Sequence, residues 1–467
     1  MTDSAVWEKF RASFDAESFV PGDPGYDEAR AVWNGDIDRR PALIVRPTDR
    51  QQTAEAIGFA RTAGVEVTVR GGGHSYAGHA VRDGAMMIDL SALNQVEVDP
   101  QARRARCGGG TTWADLDAAT QEHGLALPGG FISHTGVAGL TLGGGIGWLS
   151  PRAGLSCDNL VSAEVVTADG RTVTASPGSN PDLFWALRGG GGNFGIVTTF
   201  EFALHEVTPL VQMGMFFWDA DHARDGLRFS RDLIPNLPET AGVLLAGLSA
   251  PPEPFVPEKY QGQPGIALVI IGWASPEEHA RMIEPVLASA PEPQWHLITP
   301  IPYIQLQRMF DGSTPWGILA YEKALYLDEL SDDAIDVVAH YVPQKASPLS
   351  FVPVFPMRGA FSRVGDDDTA FGGRRDIKWV FNISAECPSP ELLEHDRAWV
   401  REFWAALRPH ASGSGTYVNF LADTDEDRVR SSYGDQKYER LARIKSQWDP
   451  DNVFRYNANI HPGTPPT

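Results

Sequence analysis

The sequence predicts an α+β protein of two lobes, and three observations lead there. The chain has 467 residues, whereas single hydrophobic cores stop growing at about 250–300 residues. Its texture changes near residue 208: short helices and strands alternate before it, and long apolar strands alternate with long helices beyond it. Glycines gather in dense clusters at 71–73, 108–110, 143–145 and 189–192, all ahead of that change and without a regular period. Clusters of this kind let backbone approach a ligand closely.

Taken in order, Thr48 is placed to cap a helix running to about Ala63, with Gly64 as its stop, and 65–70 (VEVTVR) then runs extended into the first glycine cluster. Residues 85–91 and 102–108 read as strands, and Thr112 to His123 as a helix closed by Gly124. Two β-rich arms in 160–176 flank Asp169-Gly170, which reads as a hairpin. Asn180 and Pro181 open a short helix to Leu187, and 196–202 returns as a strand. Beyond 208, the runs 242–250, 265–274, 348–355 and 377–385 are apolar on nearly every residue, which predicts a sheet covered on at least one face. Helices fall near 276–289 and 390–408, the Pro/Gly-rich stretch 251–265 reads as a surface loop, and short helices with polar turns follow from about 418.

Charge and composition narrow the function. The chain is 42% hydrophobic and 21% charged, as in globular proteins. A net charge of −21 with no compensating Lys/Arg run argues against nucleic acid and anionic lipid as partners. The N-terminal residues carry neither a signal-peptide pattern nor a membrane anchor, so a cytoplasmic location and no membrane partner are expected. Cys107, Cys157 and Cys387 have no CxxC or His-rich spacing, which disfavours a disulfide scaffold or a zinc site, and no metal is expected.

Arg70-Gly71-Gly72-Gly73-His74-Ser75 follows a predicted strand. Three successive glycines let backbone N–H groups turn toward a diphosphate, and Arg70 could add a charged contact; an ordinary glycine turn is the other reading. Gly190, Gly192 and Gly195 fit GxGxxG, but a helix precedes the motif and a strand follows it, the reverse of what a dinucleotide fold requires. A Rossmann fold is therefore rejected. The segment 136–148 is a third small-residue stretch without a Walker lysine. Three such stretches in one lobe predict an extended, buried cofactor.

Residues 69–81, 129–170 and 180–202 resemble the FAD-binding lobe of the vanillyl-alcohol oxidase / p-cresol methylhydroxylase superfamily, and 438–462 is similar to the closing segment of its berberine bridge enzyme-like branch, especially the bacterial members. The resemblance implies a split FAD-binding domain, 1–207 (core about 38–207) completed by 418–467, with an antiparallel-sheet substrate domain covered by helices at 208–417. It also implies that His74 bonds covalently to the flavin 8α-methyl group. A second bond, from cysteine, is not expected, because the matching position is Ile132; Cys157 is read as a structural thiol. The resemblance places Ser133, His134 and Thr135 beside the flavin, Thr135 where oxygen access is controlled, though backbone-only contact is an equal reading. Gly139, Gly144, Gly145, Gly195 and Val197 join the cofactor contacts. Asn457 and Asn459 match tail residues near the flavin ring, with helix capping as the alternative.

For catalysis, the resemblance points to Tyr417 as base, with Asn419, in Tyr417-Val418-Asn419. A free phenol has a pKa of about 10 and needs cations or hydrogen bonds to act at neutral pH; Lys323, Arg358 and Lys378 lie on segments expected to border the site, and a buried core tyrosine is the competing reading. Tyr303, Gln305, Tyr321 and Asn382 are further pocket candidates. The expected function is an FAD-linked oxidase acting on a small organic substrate, an alcohol, sugar, amine or polyketide, with dioxygen as acceptor, in a monomer or homodimer. A dehydrogenase or oxygenase on the same scaffold, and a non-catalytic flavin carrier, are the alternatives.

Overall fold

A computed structural model describes residues 4–289, 291–422 and 425–463. Among the described residues, one four-stranded sheet runs Glu17–Phe19, Leu43–Arg46, Met86–Asp89, Val67–Arg70, with the last three strands parallel. A five-stranded antiparallel sheet follows in the order Val96–Asp99, Arg104–Gly108, Ile196–Ala203, Leu160–Val166, Thr172–Ala175. The largest sheet is antiparallel with seven strands, ordered Trp295–Pro302, Leu210–Asp219, Pro264–Gly272, Ala241–Ser249, Val352–Pro356, Trp379–Cys387, Leu319–Leu327. The fold is the expected two-domain α+β arrangement.

Local chemistry accounts for the elements, with corrections. The helix Arg50–Ala63 is capped by Asp49, whose side chain accepts from the Gln52 N–H, and not by Thr48, whose hydroxyl instead donates to the Gln52 side chain. Gly64 closes it at φ 65°. Thr112 and Asp115 form a capping box on Trp113–Gln121. The hairpin turn at Asp169-Gly170 is longer than a two-residue loop: the Thr167 N–H donates to the Arg171 carbonyl, the Gly170 N–H donates back to Thr167, and Gly170 sits at φ 82°. The glycine-rich segment 136–148 begins with a short helix, Val137–Gly143.

The central strands of the seven-stranded sheet are buried on both faces, which is why they read as near-continuous apolar runs, whereas the edge strand Trp295–Pro302 leaves alternate residues exposed. One face packs under the helices Ala223–Leu233, Pro276–Leu287, Asp332–Tyr341 and Pro390–Leu407 through Leu245, Leu268, Leu325 and Phe381. The other, through Met213, Leu244, Ile271 and Val380, packs with Ile146, Trp148 and Leu155 of the first lobe. No described helix is long and apolar enough to cross a membrane.

The tail folds back on the first lobe. Val429, Tyr433, Leu441, Ile444 and Ile460 share a core with Leu183, Phe184 and Phe194. Lys445, fully buried, donates to Asp449 Oδ2 at 2.6 Å, the Asn193 carbonyl at 2.7 Å and the Phe454 carbonyl at 3.0 Å. Asn193 answers by accepting the Ile460 N–H at 3.0 Å and donating to the Ala458 carbonyl at 3.1 Å. Lys445→Met strands the buried Asp449 carboxylate, and stability is expected to fall by about 3–5 kcal/mol, read as a lower midpoint in urea denaturation.

Candidate active site

A cavity of about 350 Å³ lies between the glycine loops of the first lobe and the seven-stranded sheet. Gly71, Gly72 and Gly73 follow the strand Val67–Arg70 and line it, with Gly136 and Gly139 from the next small-residue segment and Gly191 and Gly192 from the third. The first two segments touch backbone to backbone: a Cβ on Gly72 would lie 2.2 Å from the Gly136 nitrogen, and one on Gly136 would lie 2.4 Å from the Gly72 nitrogen. Cβ atoms at Gly139 and Gly192 would meet open space, so side chains there would consume room that a ligand could fill.

His74 sits at the end of the first loop and lines the cavity. Its ring stacks on Trp33 with centroids 4.9 Å apart, and its Nε2 lies 2.6 Å from His134 Nδ1. Burial, and then the neighbouring His134, hold its pKa well below the usual imidazole value, so the ring is neutral at pH 7. Ser75 and Thr135 also line the cavity.

Tyr417 enters from the segment ahead of the tail. Its hydroxyl oxygen accepts the Gly145 N–H at 2.6 Å and the Asn419 side-chain amide at 2.8 Å. Asn419 also donates to the Leu140 carbonyl at 3.0 Å, and it occupies space that only a glycine at 143 leaves, since a Cβ there would lie 2.0 Å from Asn419 Oδ1. Burial raises the Tyr417 pKa, and the Gly145 and Asn419 donors oppose it. Asn457 also lines the cavity: Nδ2 donates to the Phe454 carbonyl, while the buried Oδ1 has no partner.

Other expected site residues are placed differently. The Arg70 guanidinium, expected at a diphosphate, is committed to the buried Asp89 at 2.5 and 3.0 Å and to the Ala31 carbonyl at 2.8 Å, where it braces the two parallel strands. Ser133 is outside the lining, its hydroxyl donating to Asp311 at 2.6 Å, and His134 reaches the cavity only through His74. Gly144 and Gly145, at φ 137° and 94°, carry the turn that presents the Gly145 N–H to Tyr417. Gly195, at φ 153°, packs against Val165, and Val197 is buried in its strand. Asn459 lies beside His461, away from the cavity. None of the three expected cations borders the site. Arg358 donates to the carbonyls of Leu237, Pro238 and Ala241, Lys323 lies over Trp404 on the helix side of the sheet, and Lys378 is exposed.

Of the pocket candidates, Asn382 lines the cavity. Tyr303 is buried against Asp117, Gln305 is exposed, and Tyr321 packs beneath Arg397 and Arg401. Sequence reasoning missed Trp33, Tyr76, Glu322 and Glu386, all of which line it. Two of these carried a signal: a carboxylate inside a mostly apolar strand, as in LAYEKALYL and WVFNISAEC. Cys157 is fully buried outside the cavity, and Ile132 lines it.

Residues 41–176 match the FAD binding domain family and residues 416–461 the family described as berberine and berberine like. An uncharacterized FAD-linked oxidoreductase of Bacillus subtilis, YgaK, is 30% identical over 94% of this chain and 95% of its own. The (R)-6-hydroxynicotine oxidase of Paenarthrobacter nicotinovorans is 29% identical over 96% of this chain and 97% of its own. Among solved structures, 6-hydroxy-D-nicotine oxidase from Arthrobacter nicotinovorans superposes with a TM-score of 0.84 at 26% identity, covering 96% of this chain and 98% of that one. Xylooligosaccharide oxidase from Myceliophthora thermophila gives 0.85 at 25% identity, covering 98% and 100%. The glycine-walled cavity, the open space at Gly139 and Gly192 and the unpartnered Asn457 oxygen fit an FAD. The chain belongs to the berberine bridge enzyme-like FAD-linked oxidoreductases of the vanillyl-alcohol oxidase / p-cresol methylhydroxylase superfamily.

Proposed function

We propose that this oxidoreductase is an oxidase whose FAD is bonded to His74 alone, and that it oxidises a small organic molecule with dioxygen as acceptor and hydrogen peroxide as product. The observation that carries the reading is a neutral imidazole at the rim of a glycine-walled cavity. When bound, the flavin supplies the acceptor for a hydride from a substrate C–H bond.

The residues divide the remaining work. A neutral imidazole nitrogen is the nucleophile that covalent attachment requires, and contact of Nε2 with His134 leaves Nδ1 for the bond. Trp33 fixes the ring plane by stacking. The backbone of 71–73, 139 and 191–192 and the side chains of Thr135 and Asn457 hold the cofactor, while His134 and Gly145 act one step away by holding His74 and Tyr417. The domains are assigned as 1–207 with 418–467 for FAD and 208–417 for substrate, in keeping with the shared core of tail and first lobe.

Tyr417 is assigned as the proton acceptor. Its oxygen already receives two N–H donors, which favour a phenolate, whereas burial and the lack of Lys or Arg in the cavity lining oppose one. A base works only when deprotonated, so a raised pKa means that activity climbs with pH.

Two sets of measurements test this. Flavin absorbance is expected to stay with the polypeptide after denaturation and removal of small molecules, to be lost in His74→Ala, and to persist in Cys157→Ala; colour released from the wild type overturns the linkage. With a substrate found by anaerobic flavin bleaching, one peroxide per turnover is expected. In the wild type, kcat/KM should rise with pH without levelling below about 10, the ordinary phenol value. Tyr417→Phe should lower kcat/KM by about 10²–10⁴-fold and flatten that rise.

A further inference from the structure

The cavity wall opposite the glycine loops is the even-numbered face of two paired strands. Between Leu319–Leu327 and Trp379–Cys387 the register sets Ala320 opposite Glu386, Glu322 opposite Ser384 and Ala324 opposite Asn382. Glu322 therefore has Asn382 and Glu386 as its diagonal neighbours, within reach of long side chains.

Both carboxylates line the cavity, and neither is more than 1% exposed. Each spends one oxygen on the protein. Glu322 Oε2 accepts from the Asn382 amide at 2.8 Å, and Glu386 Oε1 accepts from the Tyr76 hydroxyl at 2.8 Å and the Ser384 hydroxyl at 3.4 Å. The other oxygens, Glu322 Oε1 and Glu386 Oε2, are buried without a hydrogen-bond partner, as is Asn382 Oδ1. Three unsatisfied acceptors thus gather on one wall.

Nothing in the lining neutralises them. Among the described residues it contains no Lys or Arg, and the imidazoles His74 and His79 are held neutral by burial. The surrounding wall, including Phe131, Ile132, Leu244, Phe310 and Phe355, is apolar. An unpaired buried carboxylate is costly, and two of them compound the cost by repulsion. Accordingly, burial pushes Glu386 up to about 8, and burial together with Glu386 pushes Glu322 well above the usual carboxylate range.

Such a wall selects its ligand by what it lacks. An acidic substrate would meet two carboxylates. A saccharide needs donors and acceptors distributed over its ring hydroxyls, whereas this strand pair gathers its unsatisfied acceptors in one place, with Phe131, Ile132, Leu244, Phe310 and Phe355 among the other lining residues. A cationic nitrogen on an apolar body supplies donors to these oxygens and the countercharge that lets a pair with raised pKa values give up its protons and ionise. Resting on the oxidase reading above, we infer that the substrate is an organic amine, its ammonium seated between Glu322 and Glu386 and its hydrocarbon against the aromatic wall.

Calorimetry on the purified protein with N-methylbenzylamine, the equally sized neutral benzyl methyl ether, and cellobiose tests this. The amine should bind roughly tenfold or more tightly than the ether, the size expected for a charge-assisted hydrogen bond. Glu322→Gln and Glu386→Gln should each erode that preference, with cellobiose the weakest of the three on the wild type. Equal binding of amine and ether, tighter binding of cellobiose, or a preference untouched by both substitutions overturns the inference, and the wild-type comparison stands even if a variant fails to fold. Flavin retained after denaturation of the same preparation, with no amine preference, defeats the amine inference alone; a colourless polypeptide defeats the covalent reading, and the calorimetry still decides the wall's chemistry.

Discussion

The site depends on two glycine backbones passing at contact. Gly72 and Gly136 lie so close that neither position has room for a Cβ. That passage brings the loop after the strand Val67–Arg70 against the start of the helix Val137–Gly143, and most of the geometry follows from it. His74 emerges just past the crossing, where His134 and Trp33 hold its ring. The same helix ends in Gly143, Gly144 and Gly145, where Asn419 and Tyr417 dock. Backbone packed on backbone is stiff because there are no rotamers to yield. The imidazole at one end of the segment and the phenol at the other are therefore held at a fixed separation.

What could be read from residues alone was mainly local. The helix stop at Gly64, the arms of the 160–176 hairpin, and the strand leading into Gly71-Gly72-Gly73 all rest on turn and cap chemistry a few residues long, and all are present, whereas the helix expected to reach His123 ends at Gln121 and Gly124 lies in the turn that follows it. Motif resemblance located His74, Thr135, Tyr417, Asn419 and Asn457 around one cavity. The errors have physical causes too. Arg70 could not be known to pair with Asp89 until the parallel register set the two side by side. Thr48 and Asp49 are both capping residues, and only the backbone geometry at Asp49 chose between them.

The cavity's far wall shows a deeper limit. In a sheet buried on both faces, hydrophobicity does not reveal which alternate residues point which way. Tyr321 was a reasonable pocket candidate and Glu322 was overlooked, yet their side chains leave opposite faces of one strand: Tyr321 meets Arg397 and Arg401 on the covering helix, and Glu322 meets the cavity. The two carboxylates that escaped notice belong to the face whose purpose depends on a lobe far away in sequence.

The way the tail closes the first lobe has a bearing on biosynthesis. Tyr417 and Asn457 wall the same chamber as residues 71–74, and Lys445 ties the tail down through Asn193. A ribosome delivers the glycine loops hundreds of residues before it delivers these closing pieces, so the chamber cannot exist on the nascent chain. Enclosure of an FAD consequently waits until residues 417–460 have emerged, and a chain halted short of them would present glycine loops with no roof.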